Sequence, residues 1–298
     1  MIREGAAHTR PGEPPGFHTI ADQCFNSQMA SHSTLAASRI GADDAPRALV
    51  MLHGIYGRGR NWQGIARALV AARPDYACWL VDLPHHGDSG PGPGAPGVRD
   101  CAEAVLGWMA SAGVTPRAVL GHSYGGKVAL AMLPSLHDVP LQVWVIDSTP
   151  ETKPASGSAW DMLRLVRRLP ARFASRTEAQ ETLVAGGVEL GVAQWMATNL
   201  VRDDDHLRWG LDFDVMDTLL HDFFRTDMWA PIEQRSALHD IHVLKATRSE
   251  AISAAAVARL QAAAGQGLTL HTEEGGHWIH AERPDLMVRL LSEGLPQS

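Results

Sequence analysis

Three cysteines in 298 residues, Cys24, Cys78 and Cys101, are too few and too irregularly spaced for a disulfide framework or a CxxC metal site. Their scarcity points to a reducing, cytoplasmic compartment. No stretch reaches the roughly 18 consecutive apolar residues of a membrane-spanning helix, and the N-terminus lacks the basic-then-apolar order of a secretory signal. Basic charge is also in deficit: 26 Lys and Arg against 33 Asp and Glu give a formal net charge of −7. Without a basic surplus, nucleic acid and anionic membrane are disfavoured as partners, and a small-molecule partner is expected. Apolar residues, by contrast, make up 45% of the chain, enough for one large α/β domain or two small ones.

Residues 1–28 carry Pro and Gly clusters without apolar periodicity and read as a poorly ordered extension, with Met29 a second candidate start. From Arg47 the pattern changes. ALVMLHG (48–54) is a short apolar run ending in Gly, as a strand buried on both faces requires. A helix over 61–72, with Asn61 placed to cap it, and a strand over 76–84 follow. A Pro/Gly loop (90–97), a helix (98–113), a strand (117–123), a helix (125–136) and a strand (141–148) continue the alternation. Strand and helix in turn mean a mostly parallel central sheet with helices on both faces, an α/β fold. Residues 150–235 break the rhythm and read as an inserted helical cap over the sheet's carboxyl edge. The core, 29–149, resumes over 236–298 with a strand at 241–246, a helix at 253–265, a last strand within 268–278 and a terminal helix.

GHSYGG (121–126) is a Gly-x-Ser-x-Gly motif between a predicted strand and a predicted helix. A serine on such a turn adopts a strained backbone, and Gly121 and Gly125 leave room for strand and helix to approach closely. Ser123 is therefore the candidate nucleophile; the alternative is a serine in an ordinary glycine-rich turn. A serine hydroxyl needs a base within hydrogen-bond reach, oriented by a carboxylate. His277, in the loop between the last strand and the last helix, is the candidate base. Its rival is His280, three residues on and facing sideways from the helix.

HGIYG (53–57), DLPHHGDS (82–89), GHSYGG (121–126) and GGHW (275–278), in this order, resemble the landmarks of the α/β-hydrolase superfamily, in particular its small, capped, cofactor-free serine esterases. The resemblance spans about residues 46 to 294 and leaves only the N-terminal extension uncovered. It implies an oxyanion hole from two backbone N–H groups, here those of Ile55 and Tyr124, with His53 shaping the loop rather than reacting. DLPHHGDS likewise reads as a structural turn, with Asp82, His86 and Asp88 fixing neighbouring loops rather than reacting. The acid departs from the commonest family pattern. The loop after the strand at 241–246 reads ATRSEAIS, with Ser249 at the usual Asp position and Glu250 one residue late. Some members of the superfamily take the acid from the end of the strand following the elbow helix, where Asp147 stands here. Asp147 is the expected acid and Glu250 the alternative.

Other signals are weaker. Lys127 lies four residues after Ser123, not three, so no Ser-x-x-Lys pair forms, and the lysine is expected to face outward. His85 and His86 with Asp82 and Asp88 lack a second ligand cluster, so no metal is expected. Trp160, Trp195, Trp209 and Trp229 suit either an acyl pocket or ordinary packing of the insertion. The expected activity is hydrolysis of a small carboxylic ester or thioester through an acyl-enzyme. Hydrolysis of an amide, lactone or C–C bond, and ligand binding without catalysis, are the alternatives.

Overall fold

The computed structural model describes residues 35–265 and 267–297. The expected extension, the candidate start at Met29 and Cys24 lie outside the described residues. The described residues begin with a short edge strand β1 (Ala37–Ile40), then β2 (Arg47–Leu52), α1 (Gln63–Ala72), β3 (Tyr76–Val81), α2 (Val98–Ala112), β4 (Pro116–His122), α3 (Tyr124–Met132) and β5 (Leu141–Ile146). The chain leaves the sheet for α4 (Ser158–Val166), β6 (Arg172–Phe173), α5 (Arg176–Ala185), α6 (Leu190–Met196), β7 (Leu200–Asp203), β8 (His206–Trp209), α7 (Phe213–Arg225) and α8 (Trp229–Glu233). It returns as β9 (His239–Ala246), α9 (Ala254–Ala262), β10 (Leu268–Glu273), α10 (Ile279–Glu282) and α11 (Pro284–Gly294).

Seven strands pair in the order β1-β3-β2-β4-β5-β9-β10, all parallel except β1, which runs antiparallel to β3. Parallel strands covered on both faces bury side chains of either parity. Thus Leu49 and Met51 of β2 pack with α1 and α11, while Val50 and Leu52 pack with α2, α3 and α9. Between β2 and β4 the strand order reverses, so the helices that follow these two strands pack on opposite faces. Their carboxyl ends open a crevice at this switch point, where ligands of open α/β sheets bind. The turn at Ile55 and the turn at Ser123 flank it.

Three expectations need correction. The segment expected as a helical cap also carries strands: β6, β8 and β7 form a small antiparallel sheet, short enough to hide within a helical reading. Asn61 does not cap α1. Its carboxamide oxygen accepts from Arg58 N–H at 2.6 Å within a 3-10 turn (Gly59–Trp62), and α1 starts two residues later. Lys127 does not face outward. It is fully buried, and its ammonium donates to the carbonyls of Glu151, Phe223 and Thr226 at 2.9, 2.6 and 2.7 Å. Burial draws its pKa down to about 7 against the pull of Asp227, Asp222 and Glu151. The contact that the insertion makes with α3, invisible to a helix-by-helix reading, converts an outer face of that helix into an inner one.

The β4–α3 junction permits no side chain at its crossing point. A Cβ on Gly121 would lie 2.0 Å from the Gly125 carbonyl oxygen, and one on Gly125 would lie 2.5 Å from the His53 oxygen. Gly121→Ala is expected to destabilise the protein by about 1–3 kcal/mol or more, read as a lower urea midpoint with an unchanged slope.

Candidate active site

Ser123 occupies the single residue between β4 and α3, at φ 51° and ψ −114°, a left-handed backbone uncommon for a side-chain-bearing residue. Two bonds hold it there: its N–H donates to Ile146 O at 2.9 Å, and Gly126 N–H donates to its carbonyl at 2.9 Å. The hydroxyl projects toward the carboxyl edge of the sheet, where Oγ lies 3.0 Å from His277 Nε2. His277 Nδ1 in turn lies 2.8 Å from Asp147 Oδ2.

Sheet register explains why Asp147 is at hand. His122 pairs with Ile146 across β4 and β5, so the next residues, Ser123 and Asp147, leave adjacent strands at the same level. Asp147 also takes a positive φ, 45°, and is fully buried. Its N–H donates to Leu244 O at 2.8 Å and its Oδ1 accepts from Ala246 N–H at 3.0 Å, leaving Oδ2 for the imidazole. Glu250 lies farther along the loop after β9, exposed at the rim of the adjoining cavity, its backbone carbonyl accepting from Lys153 Nζ at 3.0 Å. Ser249 is buried, with its Oγ accepting from Ala251 N–H.

His280 is directed away from Ser123. It is buried, its ring packed 4.2 Å from that of His122 and 4.9 Å from that of Trp62. His122, which the sequence reading passed over, donates from Nε2 to the His277 carbonyl at 2.7 Å and fixes that loop from below.

Across the crevice, Gly57 N–H donates to Gly54 O at 2.8 Å and closes a β-turn with Ile55 at its second position. In such a turn the N–H of the second residue takes no part in the closing bond. Tyr124 opens α3, where the first N–H groups have no intrahelical acceptor. Both residues line the cavity beside Ser123. The turn is fastened on several sides: His86 Nε2 bonds the Ile55 carbonyl, Asn199 Nδ2 donates to Tyr56 O at 2.6 Å, and the Tyr56 hydroxyl donates to Ala159 O at 2.7 Å. His53 donates from Nδ1 to Gly54 O at 2.8 Å and accepts Leu83 N–H at Nε2, 2.9 Å away. Asp82 accepts from Gly59 and Asp88 N–H groups at 2.6 and 2.9 Å. His86 and Asp82 are thus committed to backbone, and among the described residues no group of three or more His, Cys, Asp or Glu is arranged to hold a metal ion.

Over Ser123 lies a cavity of about 630 Å³. Its apolar wall comes from the insertion, chiefly Met162, Val192, Leu220, Phe223 and Phe224. Charged side chains, among them Lys153, Asp161, Arg248 and Glu250, stand at its margin. Of the four insertion tryptophans, Trp195 lies beside Ser123, in a narrow niche with Trp278. Trp160 packs on His221 and Phe224, Trp209 on Phe173 and Phe213, and Trp229 under Arg259. Sequence reasoning missed Trp278, Asn199 and the two phenylalanines; only the amphipathic spacing of 213–225 signalled that an apolar face of this helix needed a partner.

The sequence profile of the Alpha/beta hydrolase family matches residues 49–290. A Mus musculus protein named sn-1-specific diacylglycerol lipase ABHD11 is 26% identical over 265 residues, covering 87% of this chain and 84% of that protein. A Haemophilus influenzae protein named putative esterase/lipase is 23% identical over 248 residues, covering 83% and 82%. Among solved structures, a marine microorganism esterase superposes with a TM-score of 0.74 at 22% identity over 88% of this chain and 99% of its own. An E-2-(acetamidomethylene)succinate hydrolase gives 0.73 at 18% identity over 88% and 94%. At these identities the two structures bear on the fold alone.

The buried histidines make the scaffold sensitive to acid. Burial, before any other cause, pulls down the pKa of His53, His86, His122 and His280, the last to about 3. The unfolded chain takes up these protons near pH 6.5, whereas the folded one does not. The stability they contribute is therefore complete above about pH 6.5 and is lost as the pH falls toward the folded values. Urea midpoints should drop steeply between pH 7 and 5. By about one pH unit below 6.5, His280→Gln should lose about 1 kcal/mol less than the parent, each compared with its own value at neutral pH.

Proposed function

We propose, for a chain that belongs to the Alpha/beta hydrolase family and is a hydrolase, that it cleaves carboxylic esters of apolar acyl groups, with Ser123 as nucleophile, His277 as general base and acid, and Asp147 as the orienting carboxylate. The observation that carries this reading is the unbroken chain from Ser123 Oγ to His277 Nε2 at 3.0 Å and from His277 Nδ1 to Asp147 Oδ2 at 2.8 Å. Ser123 Oγ attacks the ester carbonyl carbon while His277 Nε2 takes its proton. The alkoxide leaves with that proton, giving an acyl-enzyme, and water repeats the sequence to release the acid. Asp147 holds the imidazole with Nδ1 protonated and balances the imidazolium that forms. The N–H groups of Ile55 and Tyr124 act as the oxyanion hole, donating to charge that develops only in the transition state.

Residues 150–235 serve as a cap, and the apolar wall they give the cavity supports an acyl chain rather than a charged group as the bound moiety. The names of the mouse and Haemophilus relatives are in keeping with an ester substrate. Glu250 is left without a part in the relay, since both imidazole nitrogens of His277 already have partners.

A fluorophosphonate should label Ser123 in the folded protein, and p-nitrophenyl esters should be hydrolysed with a loss of at least about a thousandfold in Ser123→Ala. A chain that binds ligands without catalysis would give neither result. Asp147→Asn should lower kcat by about 10⁴-fold through the wrong imidazole tautomer, whereas Glu250→Gln should stay within roughly twofold. Normal activity in Asp147→Asn would refute the acid assignment. Matched thioester and amide substrates, run beside the esters, test the bond class.

A further inference from the structure

We propose that Lys127 is a positioning residue for specificity: by tying three backbone carbonyls together beneath the cavity, it fixes the end of α7 over the nucleophile turn and so sets how long an acyl chain reaches Ser123. The proposal rests on reading Ser123 as the nucleophile and the large cavity as the acyl site.

A lysine is almost never fully buried unless its charge is matched. Here all three ammonium donors find acceptors, which uses the whole capacity of the group. The chain leaving the acid and the end of α7 are also joined by backbone, Lys153 N–H donating to Phe224 O at 3.1 Å and Met228 N–H to Pro150 O at 2.8 Å, and Lys127 ties α3 into that junction. Glu151 follows the Asp147 turn. Phe223 and Thr226 close α7, where the last carbonyls lack intrahelical partners and the helix dipole presents its negative end. Lys127 itself rides on α3, one turn beyond Ser123. A single side chain therefore links the nucleophile helix, the chain leaving the acid and the end of the helix that walls the cavity.

The wall is what this link positions. Leu220, Phe223 and Phe224 of α7 line the cavity. The Phe223 ring centroid lies 4.4 Å from the Lys127 ammonium and 5.9 Å from the ring of Tyr124, whose N–H faces the oxyanion. Asp222 adds a second tie, accepting Val98 N–H at 2.7 Å and so locking the same turn of α7 to α2. An apolar side chain of equal length would fill the volume at position 127 but take the ammonium donor from one buried and two partly buried carbonyls, a cost met by shifting α7. Buried charge is weak evidence for stability, and its better-attested use is to specify one arrangement among several. The lysine specifies the distance from wall to nucleophile.

Lys127→Met and Lys127→Gln test this in the full-length protein. The expected result is a drop of roughly tenfold in kcat/KM for a p-nitrophenyl octanoate, carried mainly by KM, with acetate hydrolysis and fluorophosphonate labelling of Ser123 within about twofold of the parent. Backbone amide exchange should quicken in residues 213–226 and stay unchanged in β4 and β5. On a Phe224→Ala background, which has already lost the wall, Lys127→Met should add no further discrimination. An equal fall for both chain lengths and for labelling would make Lys127 part of the elbow itself and overturn the proposal. So would unchanged selectivity, and so would failure of both variants to fold, because a residue that only places a wall is dispensable for folding. If the parent protein neither labels nor turns over any ester, the function proposed above fails. The exchange at 213–226 then still decides whether Lys127 holds α7.

Discussion

The contact on which the rest depends is the bare backbone crossing of β4 and α3 at Gly121 and Gly125. With no Cβ at either position, the helix starts against the strand end and the one residue between them, Ser123, must turn through positive φ. A hydroxyl held on so short a turn has little freedom to swing away. The same crossing places the first N–H groups of α3 beside the turn at Ile55, because Gly125 sits directly under the carbonyls of Leu52 and His53. The positions of the proposed nucleophile and oxyanion donors are thus consequences of one steric requirement. The strand order then adds the crevice, since β2 and β4 send their chains to opposite sides of the sheet.

Around that crossing, outside the Ser123–His277–Asp147 chain, several buried polar groups bond backbone. Asp147 takes Ala246 N–H, His53 bridges Gly54 and Leu83, His86 bonds Pro84 and Ile55, and His122 bonds His277. Each such bond removes the desolvation cost of a buried group and fixes a loop at the same time. A neutral imidazole suits this use where one nitrogen donates and the other accepts, as in His53, because burial disfavours the charged form. Of the fifteen histidines of the sequence, His277 belongs to the proposed relay, while His53, His86 and His122 bond the backbone of neighbouring loops.

The core was largely legible because its signals are local. Alternating strand and helix patterns, the Gly-x-Ser-x-Gly turn and the late GGHW loop each depend on a few neighbouring residues, and His277 lies within hydrogen-bond distance of both Ser123 and Asp147. The short antiparallel β1 escaped notice because ASRI is mostly exposed and carries no apolar run. Choosing between Asp147 and Glu250 was harder, since both follow strand ends; what separates them is register, with Asp147 level with Ser123 on the neighbouring strand. Register between strands whose paired ends, His122 and Ile146, lie 24 residues apart is not written in either one. Lys127 shows the limit plainly. Its four-residue offset from Ser123 rules out one kind of chemistry, but which way it faces depends on α7, nearly 100 residues later in the chain.

The insertion illustrates why specificity is harder to read than chemistry. It touches the core through polar ties at defined points: Tyr56 to Ala159, Asn199 to Tyr56, Lys127 to Phe223 and Thr226, and Asp222 to Val98. In all but one of these the partner is a backbone carbonyl, and in the last it is an N–H, so the partner's side chain leaves no trace of the contact in its sequence. Between such ties the wall is built from interchangeable apolar residues, for which total volume and patterning matter more than identity. A catalytic group must sit within a fraction of an ångström of its partner and is therefore marked by rigid, glycine-dependent turns. A wall need only exclude water and leave a volume, and that volume depends on how the insertion is pinned as well as on the apolar residues that line it.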